Sequence, residues 1–551
     1  MLTTLHSYIL RELLRNFLLS VIALSTVLTL GGGLFNVIRY EGITGGDLVR
    51  ILPWLLPIVI TFTMPVAAVF SASMVYGRLA ADNELLACRA AGINVHRLFF
   101  AAILLAIFVT LFTLIFGNFV IPGFMKRIDR FARANIAQIA YQQLRSKGYI
   151  AYARKYFVTG EEVGLIADSA LQEKNFPVGQ DYSYLALTRP TVLQLNDQGE
   201  LVRFTSAAWG MCQFDTRDAI RVTLYIRDAR DLEIGRRAVQ IEQQELGPID
   251  LPLPFPQKPS WMDLNTLVQW IDQPWLADKT GQQTRAFLAR LLVQRFGGSC
   301  VEQLSGGKTL TLNDDANHRY AIQAAEATLN PNGRASLTRA RVVVSREGFG
   351  DLTRYEAPQA ELIMRPMPEG GGVGEIRLLR TTEKPVLEYK LRSDRPDRPA
   401  EQLTVSLDRI VLPDAVREDA ARYTPAMAID PAVKLPIEGP LVDERVGLWA
   451  ATDQFRRKVA ALIHFRLGYA ASPIVTIVMA AALGVMFRGA RALSAFGLSC
   501  IPFAAVTILA IMGRQLAEQS NTATIGPAII WGGLLACAFA NLLMVRVGVK
   551  R

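Results

Sequence analysis

Six long stretches without a charged residue constrain this chain more than any other feature. They cover residues 16–38, 51–77, 98–125, 467–487, 492–513 and 519–545, and each is 21 to 28 residues long. A helix rises about 1.5 Å per residue and needs roughly 20 apolar residues to cross the hydrocarbon core of a bilayer. The pattern therefore predicts six membrane-spanning helices, three near each end, and excludes a simple soluble protein.

The arginines and lysines of the short loops indicate an orientation. If both termini are cytoplasmic, the inner segments hold most of these cations, and the outer short loops hold only Arg39, Arg50 and Arg514. The net charge of +10 is then explained largely by cationic residues that anchor the spans in the membrane. No basic stripe interleaved with aromatic residues indicates a nucleic-acid partner.

The region between the two groups of spans is polar and rich in predicted strands. Val222, Leu224 and Ile226 alternate with polar residues, which is typical of a half-buried strand. Two helical patterns, at residues 261–271 and 284–296, interrupt the strands. The predicted fold class is an α+β membrane protein in which six transmembrane helices flank a large periplasmic β-rich region. The predicted domains are 1–125, 126–455 and 456–551.

Motifs for catalysis or metal binding are scarce. Asp314, Asp315 and His318 fit a polar turn better than a metal site, and the four histidines form no zinc-type spacing. Residues 304–309, Leu-Ser-Gly-Gly-Lys-Thr, resemble part of a nucleotide-binding loop, but Glu302 stands where a phosphate-binding loop requires glycine. We expect a turn there, no metal, no cofactor and no catalytic residue. Cys212 and Cys300 are two cysteines of the outer region that either pair or remain free.

The short loop between the second and third spans carries the most information. Asp82 and Asn83 are residues that cap helices, and Gly92 is a natural helix stop, so a short cytoplasmic helix is predicted between them. Such a helix either docks in a groove of a soluble partner, where Glu84 forms an ion pair with a basic residue, or is a solvated connector.

At this loop the sequence resembles a known family. Residues 77–85, Gly-Arg-Leu-Ala-Ala-Asp-Asn-Glu-Leu, and residues 89–93, Arg-Ala-Ala-Gly-Ile, resemble the coupling-helix motif of the LptF/LptG permeases of lipopolysaccharide export. Residues 8–17 are similar to the start of that family's first helix, and residues 464–467 with Pro473 to the start of its fourth. Residues 261–271 resemble a segment that precedes the fourth helix.

The resemblance implies six membrane helices around a periplasmic β-jellyroll. It also implies a permease subunit in the bacterial inner membrane that pairs with a second permease subunit and a cytoplasmic ATPase dimer. ATP is then used by the partner, while lipopolysaccharide enters sideways between helices one and five of opposing subunits and passes to a periplasmic lipid-bridge protein. The expected coupling segment is 78–97, with Glu84, Leu85, Leu86, Arg89 and Gly92 as its residues. Arg39 and Arg50 are the candidates for contact with lipid phosphates, or alternatively interfacial anchors.

One part of the chain departs from the family pattern. The outer region exceeds what a single jellyroll needs, and residues from about 275 to 450 read as an insertion. From the resemblance we therefore expect the cargo to be lipopolysaccharide or a related lipid, and the sequence does not separate the F-type from the G-type subunit. A non-transporting envelope scaffold, a permease for another amphiphile and a membrane-embedded enzyme are the alternatives, although no convergent polar site supports the enzyme.

Overall fold

A computed structural model of the chain divides it into two compact units. One comprises Met1–Leu267 with Ala460–Arg551, and the other comprises Val268–Val459. The described residues are 2–33, 45–134, 136–152, 156–166, 179, 181–196, 198–217, 220–233, 239–251, 258–305, 307–314, 318–331, 333–346, 350–366, 372–381, 384–391, 399–402, 404–487 and 492–548. The domain bounds expected from the sequence stay a prediction.

Helices make up most of the chain at its two ends. In chain order the α-helices are α1 (Leu2–Leu28), α2 (Gly45–Ala81), α3 (Glu84–Ala90), α4 (Val95–Leu98), α5 (Phe100–Ile115), α6 (Ile121–Ala134), α7 (Ile136–Lys147), α8 (Leu264–Asp272), α9 (Asp278–Ser305), α10 (Asp414–Ala421), α11 (Pro425–Ile429), α12 (Pro440–Met486), α13 (Ala492–Glu518) and α14 (Ile525–Leu543). Short π-helical turns follow three of them, at Thr29–Gly33, Phe116–Val120 and Met544–Gly548. Short 3-10 turns occur at Pro259–Trp261, Pro274–Leu276 and Ser520–Thr522.

Six helical segments among the described residues are long and apolar enough to cross a membrane. They are Leu5–Gly31, Leu56–Ala81, Phe100–Arg127, Pro440–Met486, Gly497–Glu518 and Ile525–Arg546. The prediction of six spans in two groups of three is confirmed by this criterion of length and composition.

The third span does not end at Ile121-Pro122-Gly123, although proline and glycine often stop a helix. The helix passes through the π-helical turn Phe116–Val120 and continues as α6 to Ala134. Pro122 therefore lies in the first turn of a new helical segment, where the missing N–H of proline is tolerated.

The membrane helices share one apolar core in the first unit. Residues of α1, α2, α5 and the later part of α12 pack together in it, among them Ile9, Leu13, Phe17, Ala68, Ala72, Val75, Tyr76, Leu105, Val109, Ile477 and Ala481. Many of these residues are small, which allows helices to approach closely in a membrane protein.

The strands form two antiparallel sheets, one in each unit. In chain order they are β1 (Tyr149–Tyr152), β2 (Tyr156–Thr159), β3 (Glu162–Leu165), β4 (Tyr182–Thr188), β5 (Thr191–Leu195), β6 (Leu201–Asp215), β7 (Ile220–Glu233), β8 (Val239–Leu251), β9 (Leu310–Asp314), β10 (His318–Gln323), β11 (Glu326–Leu329), β12 (Ala335–Arg346), β13 (Gly350–Pro366), β14 (Gly372–Leu379), β15 (Val386–Lys390), β16 (Ala400–Gln402) and β17 (Thr404–Val411). The β-rich region expected between the spans is thus confirmed.

The first sheet is built around the long strand β6. Strands β5 and β4 pair with successive halves of one edge of β6, and β7 pairs with the other edge and then with β8. Leu224 and Ile226 are buried on the face that packs with α7, as their alternation predicts. A bulge between Val222 and Leu224 interrupts that regular pattern.

Six strands of the second sheet close into a ring. The hydrogen-bonded path runs β12, β10, β9, β17, β14, β13 and back to β12, and β11, β15 and β16 extend it. A core of inward residues fills this sheet and includes Leu312, Ile322, Val342, Leu362 and Ile376. The jellyroll expected from the resemblance stays a prediction, and the closed ring lies within residues 275–450, the predicted insertion.

Helix α9 covers the core of the second sheet with Phe296, Cys300 and Leu304. It contains the predicted 284–296 helix and ends at Ser305, where the N–H of Gly307 donates to the carbonyl of Leu304 at 3.1 Å. The nucleotide-loop resemblance thus falls on a helix end and its turn. Gly307 has φ 67°, a conformation that favours glycine.

Cys212 on β6 and Cys300 on α9 are free thiols. Both Cys212 and Cys300 are buried, and burial raises the pKa of each thiol to about 12. They behave as small core residues in this structure.

Candidate coupling site

The connection from α2 to α3 is a two-residue turn. Asn83 has φ 59° and ψ 13°, so its left-handed backbone turns the chain directly from one helix into the next. The predicted side-chain cap is wrong, because the Asn83 side chain makes no capping hydrogen bond. Asparagine tolerates this backbone conformation better than most residues, which accounts for its presence.

The far end of α3 has the hydrogen bonds of a Schellman motif. The N–H of Gly92 donates to Arg89 O at 2.9 Å, and the N–H of Ile93 donates to Cys88 O at 3.0 Å. Gly92 has φ 78°, which a side chain would strain. The prediction of a short helix that ends at Gly92 is confirmed as local structure.

The side chains of α3 divide into an anchoring face and an exposed face. Leu85 is only 6% exposed and packs in the membrane-helix core, whereas Leu86 is 52% exposed. Glu84 lies in the first turn and Arg89 in the last, an arrangement that the helix dipole favours, and both are half-buried. Leu85 therefore holds the helix in place, while Leu86 is the apolar side chain that a partner can reach.

Arg78 links the end of α2 to α1. Its guanidinium makes an ion pair with Glu12, donates to Tyr8 Oη at 3.3 Å and lies 4.0 Å from a carboxylate oxygen of Asp82. No local motif predicts this contact, because Glu12 and Arg78 are 66 residues apart. The available signal was that Glu12 is the first acidic residue of the chain and stands between Arg11 and Arg15.

The chain that follows α3 is held by Tyr76 of α2. The Tyr76 hydroxyl donates to Leu98 O at 2.6 Å, and its ring stacks on Phe99 with 5.3 Å between centroids. Tyr76 and Leu98 are fully buried. Both ends of the 78–97 segment are thus fixed to the same helix bundle.

The two candidate phosphate ligands are not placed by the structure. Arg39 lies outside the described residues. Arg50 belongs to α2, but its side chain lies outside the described part of the chain. Their proposed role stays a prediction.

Two further segments of the family resemblance meet in the first unit. Arg466 donates to the carbonyls of Met262, at 2.6 Å, and of Ser260. Asp263 accepts from Lys126 Nζ at 2.8 Å and from the N–H of Thr266 at 2.7 Å. The helix predicted from Trp261 therefore begins later, at Leu264, with Asp263 as its cap.

These contacts favour the ionised form of the Asp263 carboxyl. Burial raises the pKa of its carboxyl, but the hydrogen bonds from Lys126 and Thr266 outweigh burial and hold the pKa at about 2.

The possible metal group at Asp314 is a hydrogen-bonded turn. Its carboxylate accepts from the N–H of His318 at 2.7 Å and from Tyr320 Oη at 2.9 Å, and lies 2.8 Å from His318 Nδ1. Asp315 lies outside the described residues. Across the residues that the structure describes, no cluster of three potential metal ligands occurs.

Comparison with protein families identifies the first part of the chain. Residues 7–168 match the model of the family described as Lipopolysaccharide export system permease LptF/LptG. This range includes most of α1, all of α2 to α7 and the first three strands, and therefore the coupling segment. No curated protein matches the chain. The family resemblance stated from the sequence is confirmed over these residues.

Proposed function

From the match of residues 7–168 to the LptF/LptG family of lipopolysaccharide export permeases, we propose that this chain is a permease subunit of an ABC transporter. It extracts lipopolysaccharide or a related lipid from the inner membrane. It passes the lipid to a periplasmic bridge protein directed toward the outer membrane. The observation that carries this proposal is the family match across the segment that contains α3.

A separate cytoplasmic ATPase dimer supplies the energy in this proposal. The only nucleotide-loop resemblance noted in the sequence falls on the end of α9, which is a helix terminus and not a strand followed by a phosphate-binding loop. Helix α3 presents the exposed Leu86 and the half-buried Glu84, which suits insertion into a groove with a basic residue. We assign Glu84, Leu86 and Arg89 to the contact and Leu85 and Gly92 to holding the helix.

The membrane helices suit an amphiphilic cargo. Leu18, Leu19 and Ile22 of α1 are each more than half exposed, as are Ile501 and Ile508 of α13. Such faces contact lipid chains or a second permease subunit, and a lipid with several acyl chains requires apolar helix surfaces rather than a polar pore. We infer that lateral uptake between α1 of one subunit and α13 of the other uses these faces, and that Arg39 and Arg50 bind lipid phosphates.

Affinity purification of the tagged chain tests the proposal. We expect a cytoplasmic ATPase and a second permease to co-purify, and mass spectrometry of the extracted lipids to identify lipopolysaccharide. Recovery of a different amphiphile would assign the chain to another lipid. Recovery of neither ATPase nor lipid would exclude the transporter.

The charge reversal Glu84→Arg tests the coupling contact. It places a cation against the expected basic groove, so we expect loss of at least about tenfold in ATPase recovery, since close like charges cost more than 1.4 kcal/mol. The control is Glu302→Arg on α9, an exposed acidic residue outside the 78–97 segment. Normal ATPase recovery and normal transport by Glu84→Arg would show that Glu84 does not make the coupling contact. Survival of the chain's cellular function without ATPase binding would favour a non-transporting scaffold.

A further inference from the structure

Helices α1 and α2 share a continuous buried seam. Ile9, Leu13 and Phe17 of α1 are at most 2% exposed, and they lie in one core with residues of α2 such as Val75 and Tyr76. Side chains buried to this degree leave no room for the helices to separate without opening a cavity. The two helices are therefore packed as a pair.

Polar contacts fix the register of this pair at three levels. Ser25 and Thr63 hydroxyls lie 2.8 Å apart, and both side chains are buried. Ser71 Oγ donates to Leu13 O at 2.7 Å, also buried. Buried hydrogen bonds oppose sliding of one helix along the other, because sliding would leave the polar groups without partners.

The third level is the Arg78–Glu12 ion pair, which lies beside α3. Arg78 is in the last turn of α2, and the N–H of Asp82 donates to Arg78 O at 2.9 Å. The Glu12 side chain is 19% exposed, so its charge is partly desolvated, while Arg78 is 45% exposed. Nη2 of Arg78 contacts both Glu12 and Tyr8 Oη, while its Nε lies 4.0 Å from a carboxylate oxygen of Asp82, and a single lysine ammonium group lacks this spread of rigidly placed donors.

We propose that Arg78 and Glu12 are positioning residues that transmit movement of the coupling segment to helix α1. Displacement of α3 is passed to the end of α2, and the ion pair with Glu12 carries α1 along, so that α1 and α2 move as one body. This inference rests on the proposed function, because it assumes that an ATPase moves α3.

A charge-swap cycle tests the transmission. The four forms are the unchanged chain, Arg78→Glu, Glu12→Arg and the double variant, each in complex with its ATPase in phospholipid vesicles that contain lipopolysaccharide. We expect each single variant to retain ATPase binding but to release about fivefold less lipopolysaccharide per ATP hydrolysed, as for one partly exposed ion pair. The double variant restores the pair with reversed polarity, so it regains most of the loss.

Neutralisation provides a matched control on the same side of the membrane. Arg78→Gln removes the pair, whereas Arg546→Gln, outside the 78–97 segment, removes an exposed arginine that makes no ion pair among the described residues. We expect lipopolysaccharide release per ATP to fall only for Arg78→Gln. Full transport by the single variants, or no recovery in the double variant, would overturn the proposal.

Hydrogen–deuterium exchange tests the ion pair without any ATPase. In the purified chain, Arg78→Gln is expected to raise exchange about twofold or more in residues 7–17, and unchanged exchange there would count against the proposal. Failure of the unchanged chain to bind an ATPase or transport lipid would instead reject the proposed function, so the two failures are distinguishable.

Discussion

The second membrane helix and the last two differ in how they are stabilised. In the most apolar part of α2, 61% of the residues are buried, against 22% for α13 and 17% for α14. Helix α2 is surrounded by other helices of its own chain. Helices α13 and α14 contact each other closely, as in the approach of Gly526 to Gly513, and α13 also contacts α2 through Ser499 and Ser73.

This difference separates a buried framework from a surface that is exposed within the single chain. Buried polar groups of α2, such as Ser71 and Tyr76, have hydrogen-bond partners within the chain. Helices α13 and α14 form a helical hairpin. Its exposed apolar residues, such as Leu535 and Phe539, require lipid, cargo or a second subunit for burial. The coupling helix α3 is attached to the framework through Leu85.

The largest expected effect compares a core leucine with a hairpin leucine. Leu13 is fully buried, while Leu535 is 70% exposed. Leu13→Ala should lower the free energy of unfolding by about 3 kcal/mol, because it leaves a cavity, and Leu535→Ala by less than about 0.5 kcal/mol. Thermal unfolding in detergent, followed by circular dichroism, measures both. Equal losses would mean that the hairpin belongs to the framework.

A smaller effect tests the glycine contact within the hairpin. A Cβ atom at Gly526 would lie 2.3 Å from Gly513 O and 2.5 Å from Ala517 Cβ, whereas one at Gly532 meets nothing within 4 Å. Gly526→Ala should destabilise the hairpin by about 2 kcal/mol through overpacking, and Gly532→Ala should be neutral or slightly stabilising. Limited proteolysis at residues 519–524 reports the change. Identical protection in both variants would contradict the close contact.

The smallest effect concerns the pH dependence of the contact at Asp263. Its pKa falls from 3.8 to about 2 on folding, so its stabilisation is present above pH 4 and is lost as the pH falls toward 2. We expect a contribution of about 1 kcal/mol, since the ion pair is partly exposed. Asp263→Asn should remove this part of the acid sensitivity in thermal unfolding between pH 5 and pH 2. An unchanged pH profile would show that the Lys126 contact does not stabilise the fold.

The membrane helices were predictable because the bilayer imposes a length and an absence of charge. The continuation of α5 into α6 was not, because Pro122 can end one helix or begin another. The length of α12 was also missed, since its first part carries charged residues such as Arg456 and Arg457 and has no membrane-like composition. Local composition therefore predicts the membrane-spanning parts of the helices but not the polar segments by which the same helices continue beyond them.

The strands were predictable in kind but not in pairing. Alternation places Leu224 and Ile226 on one face, yet the closure of β12 onto both β10 and β13 depends on contacts distant in sequence. The same limit applies to the coupling site. Glu84 and Gly92 are visible in a local motif, whereas the Arg78–Glu12 pair exists only after two helices pack.

The left-handed turn at Asn83 leaves no slack between α2 and α3. Two residues separate the helices, and the N–H groups of both donate to carbonyls in the last turn of α2, at Arg78 and Ala80. A longer, solvated linker would absorb a push by bending. Here a displacement of α3 is passed directly to α2, because the two helices are rigidly connected and no flexible linker lies between them.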